Sequence, residues 1–106
     1  MILKQADVAG TDLGKGVSRK ILASDGSLMT VQFTFEKDAG VLWHAHIHEQ
    51  SSYIVAGKLK LFVEDEEILL TPGMSAIVPA NARHRAVALA GTVDVNAFTP
   101  VRQDYL

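Results

Sequence analysis

Three of the chain's four histidines stand at 44, 46 and 48, in the run His44-Ala45-His46-Ile47-His48-Glu49-Gln50, and the fourth is His84. In an extended strand successive side chains alternate between faces, so residues two apart share one. On a helix the same two residues diverge by roughly 200°. His44 and His46 therefore meet a common partner only if the segment is extended. Imidazoles at alternate positions have no use on a purely structural barrel face, whereas a metal uses them. The pattern predicts a metal site in a small β-barrel.

The rest of the chain carries the same period. Met29, Val31, Phe33 and Phe35 alternate with Thr30, Gln32 and Thr34, which predicts a half-buried strand over 28–36. Residues 17–23 read as a strand before an Asp25-Gly26 turn, and 37–40 as the next turn. Segments 41–46 and 52–56 lead into and out of the histidine cluster, the second ending at Gly57. Segments 58–63, 68–70, 75–78, 85–89 and 92–99 follow, with Thr71-Pro72-Gly73 as a tight turn between two of them. Residues 1–16, with glycines at 10, 14 and 16, read as a short strand followed by turns. No window shows a helical period. About ten short strands, with turn signals every ~8–12 residues, predict an all-β sandwich or barrel. Periodicity alone does not separate an immunoglobulin-like sandwich from a jelly roll.

Composition narrows the function classes. At 106 residues the chain is read as a single domain, 1–106. Ten Lys+Arg against twelve Asp+Glu leave a net charge of −2 with no basic run, which argues against nucleic acid as a partner. Cysteine is absent, so a metal here is held by nitrogen and oxygen. The opening residues lack the apolar core of a signal peptide, and no stretch approaches the ~20 apolar residues of a membrane span. A cytoplasmic protein without membrane attachment is expected. The acidic run Glu64-Asp65-Glu66-Glu67 reads as a solvated hairpin loop, because calcium usually needs about six or more oxygens from a shaped loop.

Two spaced motifs then resolve the choice of fold. Gly40, the set His44/His46/Gln50 and Gly57 resemble the first motif of the cupins, and Gly73, Pro79 and His84 resemble the second. The resemblance implies the cupin double-stranded β-helix, a jelly-roll barrel, with His44, His46, Gln50 and His84 as metal ligands. Three departures stand out. Gln50 occupies the position of the usual glutamate ligand. Asn81 replaces a glycine, a change its ease of entering left-handed backbone geometry permits. Ala88 stands where asparagine often follows. Three imidazoles and an amide oxygen are neutral, so a divalent ion would keep its full charge and act as a strong Lewis acid. Nickel, iron, manganese, zinc and copper all suit that set. The motif skips His48, which requires a turn or bulge between His46 and Gln50 and makes His48 an outer partner or an exposed residue. Arg83 and Arg85 flank His84 and are expected on the opposite face.

Segments 16–23, 44–50 and 98–106 are similar to the pectin-degradation cupins of the KdgF type. That resemblance implies a metal-dependent enzyme that linearises 4,5-unsaturated uronate monosaccharides from pectin or alginate. It also implies a sugar-acid substrate, a homodimer, and substrate contacts at Phe98 and Arg102. A planar guanidinium suits a uronate carboxylate through two parallel hydrogen bonds. Arg19, in a matched segment, is read either as lining the site or as serving the fold. Where the pattern expects a catalytic carboxylate two residues before the aromatic, this chain has Asn96, which cannot accept a proton at useful pH. Asp94 shares its strand face and is the substitute acid–base candidate. The rival readings are a non-enzymatic metal- or sugar-binding cupin, which Asn96 favours, and a metal-dependent dioxygenase.

Overall fold

A computed structural model of the chain describes residues 4–106. Its strands are β1 (Thr11–Gly14), β2 (Val17–Asp25), β3 (Leu28–Phe35), β4 (Gly40–His44), β5 (Glu49–Ala56), β6 (Leu59–Val63), β7 (Glu66–Leu70), β8 (Ser75–Val78), β9 (His84–Ala88) and β10 (Thr92–Thr99). Single-turn 3-10 helices at Gln5–Asp7 and Gln103–Tyr105 flank them. The expected N-terminal arm is thus a helical turn followed by β1; its first three residues lie outside the described part.

Two antiparallel sheets result, one of six strands in the order β1-β2-β3-β10-β5-β8 and one of four in the order β4-β9-β6-β7. This is the all-β jelly roll expected. Alternation decides which side chains enter the space between the sheets. Met29, Val31, Phe33 and Phe35 on β3 are buried, while Thr30, Gln32 and Thr34 between them face outward. The small sheet answers with Leu59, Leu61, Leu70, Ala86 and Ala88. β10 lies between β3 and β5, and its buried face reads Thr92, Asp94, Asn96, Phe98. Three of those four are polar, so a strand at the centre of the larger sheet delivers hydrogen-bonding groups into an otherwise apolar interior.

One end of the sandwich is closed by the chain itself. Thr92 Oγ1 accepts from the Lys58 amide at 3.1 Å and lies 2.8 Å from the Ala90 carbonyl, tying the β5–β6 turn to the start of β10. The turn residue Gly57 has φ +92°, and a Cβ there would overlap the Gly91 carbonyl and Thr92.

The structure corrects the strand expected over 41–46. β4 stops at His44, and residues 45–48 form a bend before β5 begins at Glu49. The bend is held from outside: the Asn81 amide donates to the His46 carbonyl at 2.7 Å. Asn81 itself has φ 65°, the left-handed geometry anticipated for a residue standing in for glycine. The acidic run is only half a loop. Glu64 and Asp65 turn the chain, Glu66 and Glu67 begin β7, and Glu67 pairs with Lys60 at 2.8 Å.

Gly40 opens β4 directly opposite Val87 on β9, so close that an added Cβ would overlap the Ala86 carbonyl. Gly40→Ala is therefore expected to prise β4 from β9 and cost about 3 kcal/mol or more, the upper range for forcing an extra methyl into a packed site. Urea unfolding at neutral pH measures it.

Candidate metal centre and substrate cleft

The β4–β9 ladder sets His44 directly opposite His84, with ring centroids 4.1 Å apart. His46 reaches the same place from the bend, its ring 4.9 Å from that of His84. The three histidines share one device. Nδ1 of His44 lies 2.8 Å from the Leu42 carbonyl, Nδ1 of His46 3.0 Å from the His48 carbonyl, and Nδ1 of His84 2.9 Å from the Ala82 carbonyl. A carbonyl only accepts, so each of these nitrogens carries the ring proton and leaves Nε2 as a lone pair. The three rings bring one potential ligand atom each to within 4.8 Å of one another.

The electrostatics favour the neutral form of His46 and His84. Burial lowers the His84 pKa to about 4, and burial together with the nearby Arg102 charge lowers that of His46. His84 Nε2 is buried with no partner among the described residues, a cost that a coordinated cation removes. Gln50 Oε1 stands 3.2 Å from His46 Nε2. With the His46 proton on Nδ1, two lone pairs face each other across that gap, which a cation between them would relieve. The residues present fit a divalent ion held by three imidazoles, with Gln50 positioned beside them.

His48 does not join the cluster. Its carbonyl orients His46, and its ring borders a separate groove with Ile47, Val101 and Asp104. The bend at 45–48 thus supplies the break in alternation that skipping His48 requires.

Behind the imidazoles runs a polar ladder between β5 and β10, where Ser52 pairs with Asn96 and Gln50 with Phe98. Gln50 Nε2 donates to Asn96 Oδ1. Ser52 Oγ lies 3.0 Å from Asn96 Oδ1 and 3.3 Å from Asp94 Oδ2, and its single proton serves one of them at a time. Asp94 is buried with Oδ1 unpartnered, and burial raises its carboxyl pKa to about 6. Asn96 Oδ1 is engaged as a link in the ladder. Asp94, one residue pair along, is the ionisable group on the inner face of β10.

The C-terminal tail closes one wall. Phe98 is both core and wall, buried and 5.8 Å from the His46 ring. Arg102 is buried, lies over the Tyr105 ring at 4.3 Å, and forms two hydrogen bonds with Asp104. Arg19 lies over the same tyrosine at 4.1 Å, which ties it to the wall. His44, Gln50, His84, Asp94, Asn96 and Arg102 thereby line one cleft that opens to solvent. Arg83 and Arg85 lie outside it, over Trp43 and Phe62 on the outer face.

Two lining residues escaped the sequence reading. Ser52 was legible in principle, since it lies two residues from Gln50 on one strand. Tyr105 was not, because no period extends into the tail. No described helix is long and apolar enough to cross a membrane.

Comparison with known proteins agrees with this geometry. The cupin domain family matches residues 31–98. The pectin degradation protein KdgF of Dickeya dadantii is 36% identical over 97 residues, covering 90% of this chain and 88% of that protein. The structure of KdgF from a Halomonas species superposes with a TM-score of 0.95 at 31% identity, covering all of both chains. An RmlC-like cupin from Shewanella frigidimarina superposes equally well, 0.95 at 33% identity, covering 99% of this chain and 95% of its own.

Two predictions follow from the site alone. His44→Ala and His84→Ala should each weaken Zn²⁺ binding by more than about 100-fold, beyond what loss of an outer partner usually costs. His48→Ala, which keeps the carbonyl that orients His46, should stay within about tenfold; titration calorimetry separates the two cases. In the metal-free protein the raised pKa of Asp94 stabilises the fold fully below pH ~4, and this advantage is lost as pH rises through about 6. Asp94→Asn should therefore unfold later than the parent at pH 8, by on the order of 2–3 kcal/mol, and not at pH 4. Urea melts at the two pH values measure the difference.

Proposed function

We propose, on the premise that this chain belongs to the cupin family and is a relative of KdgF, that it is a metal-dependent enzyme opening the ring of 4,5-unsaturated uronate monosaccharides. The observation that carries this reading is a cluster of three metal-competent imidazoles, two of which, His44 and His84, line one cleft with a buried guanidinium, Arg102. A sugar acid offers both ring oxygens for a Lewis acid and a carboxylate for an arginine. The pectin-degradation role named for the Dickeya relative supports the same substrate class.

The chemistry is an isomerisation. The bond between C1 and the ring oxygen breaks as the anomeric hydroxyl loses its proton and becomes an aldehyde. The enol left at C5 takes a proton at C4 and becomes a ketone. One proton leaves oxygen and one reaches carbon, so neither water nor a redox partner is consumed.

His44, His46, His84 and Gln50 would hold the ion. Polarisation of a sugar oxygen is the chemistry that a bound divalent transition metal supplies there. Arg102 anchors the carboxylate and Phe98 packs against the sugar ring. Asp94 moves the proton, its pKa of about 6 being close to that of an effective general base. Asn96 orients Gln50 and the sugar without titrating. The cleft sits in one domain over 1–106, in a cytoplasmic protein that takes a small sugar acid and neither nucleic acid nor membrane. Tyr53, Val55 and Ile77, exposed on the outer face of the six-stranded sheet, support a homodimer.

The test is the loss of conjugated-alkene absorbance from unsaturated galacturonate. Metal-loaded protein should exceed both the spontaneous rate and a chelator-stripped control. Asp94→Asn should lower kcat by about 10²-fold or more, and Arg102→Ala should raise KM about tenfold or more. No acceleration with metal bound would leave the rival reading, a cupin that binds sugar acids without turnover, which the engaged Asn96 favours.

A further inference from the structure

Arg102 is held from two directions by the short helical turn that follows it. Its backbone carbonyl accepts from the Tyr105 amide at 3.0 Å, and this turn brings Asp104 and Tyr105 back onto the guanidinium. Tyr105 covers a face of the group at 4.3 Å. Asp104 takes its side edge, Nε donating to Oδ1 at 3.0 Å and Nη2 to Oδ2 at 2.8 Å. A guanidinium has five N–H donors in a rigid fork, and this grip uses two. The three remaining, two on Nη1 and one on Nη2, have no hydrogen-bond partner among the described residues.

The two carboxylate oxygens stand on the solvent side: the Asp104 side chain is 58% exposed, that of Arg102 only 11%. Arg102 also lines the cleft. The edge turned away from Asp104 is therefore the one available to the cleft, and Nη1 with Nη2 match a second carboxylate through two parallel bonds.

We propose that Asp104 is a positioning residue that fixes the Arg102 guanidinium side-on, so that its end edge receives the carboxylate of the ligand. This inference rests on the uronate reading of the cleft. It makes a prediction opposite in sign to simple charge. If Asp104 were only a nearby anion, or a competitor for the fork, removing its charge would strengthen the binding of a carboxylate. A positioning residue, once removed, weakens it.

Titration calorimetry on the full Zn²⁺-loaded chain, with galacturonate and its uncharged methyl ester as probes, decides between them. Asp104→Asn should weaken galacturonate binding about tenfold, on the scale of one charge-assisted hydrogen bond, and leave the ester within about twofold. Asp104→Glu should recover most of the loss. Unchanged or tighter galacturonate binding in Asp104→Asn overturns the inference. If Arg102→Ala meanwhile loses the preference for acid over ester, the uronate reading survives that failure. A parent protein that does not prefer acid to ester overturns both.

Discussion

Desolvation is the constraint on which this structure turns. A jelly roll is stable because two sheets exclude water from the faces they share, and every polar atom on those faces must find a partner or bear the cost of lacking one. Here the buried polar groups other than Thr92 are gathered toward one mouth and arranged to satisfy one another. Backbone carbonyls take the Nδ1 protons of His44, His46 and His84, and Gln50, Ser52, Asn96 and Asp94 form a ladder between β5 and β10. Among the described residues, the buried side-chain atoms left without a partner are His48 Nδ1, His84 Nε2 and Asp94 Oδ1, and the last two have a use for a cation or a proton.

The same burial that lowers the pKa of His46 and His84 keeps the carboxyl of Asp94 near neutrality in pKa. One physical cause thus prepares two kinds of group in opposite senses, freeing a lone pair on nitrogen and retaining a proton on oxygen. The single permanent charge in the cleft, Arg102, is held at the tail and paired to Asp104 on its outer edge, so its field in the interior is tempered without being cancelled.

Much of this was legible in the chain because strands write their faces at period two. The alternation of Met29, Val31, Phe33 and Phe35, and the shared face of Asp94, Asn96 and Phe98, passed directly into the structure. The turn at Asn81 was readable from backbone preference. The early end of β4 was not, because the hydrogen bond that fixes the bend comes from Asn81, 35 residues beyond His46. The pairing of His44 with His84 likewise belongs to the fold and not to local pattern. Tyr105 and the grip of Asp104 on Arg102 lie in a tail with no period to read, and only the docked helical turn reveals them.

The clasp at Thr92 has a mechanical consequence. At that end the two sheets are joined by hydrogen bonds from a side chain to the backbone of the neighbouring turn, and Gly57 brings the strands nearly into contact. At the opposite end the imidazoles come from β4, β9 and the bend, while Gln50 belongs to the other sheet. The sandwich is therefore built like a clothes peg, pinned at its heel by the protein's own hydrogen bonds. At its jaws a cation held by the imidazoles and Gln50 would be a second pin, fastening one sheet to the other.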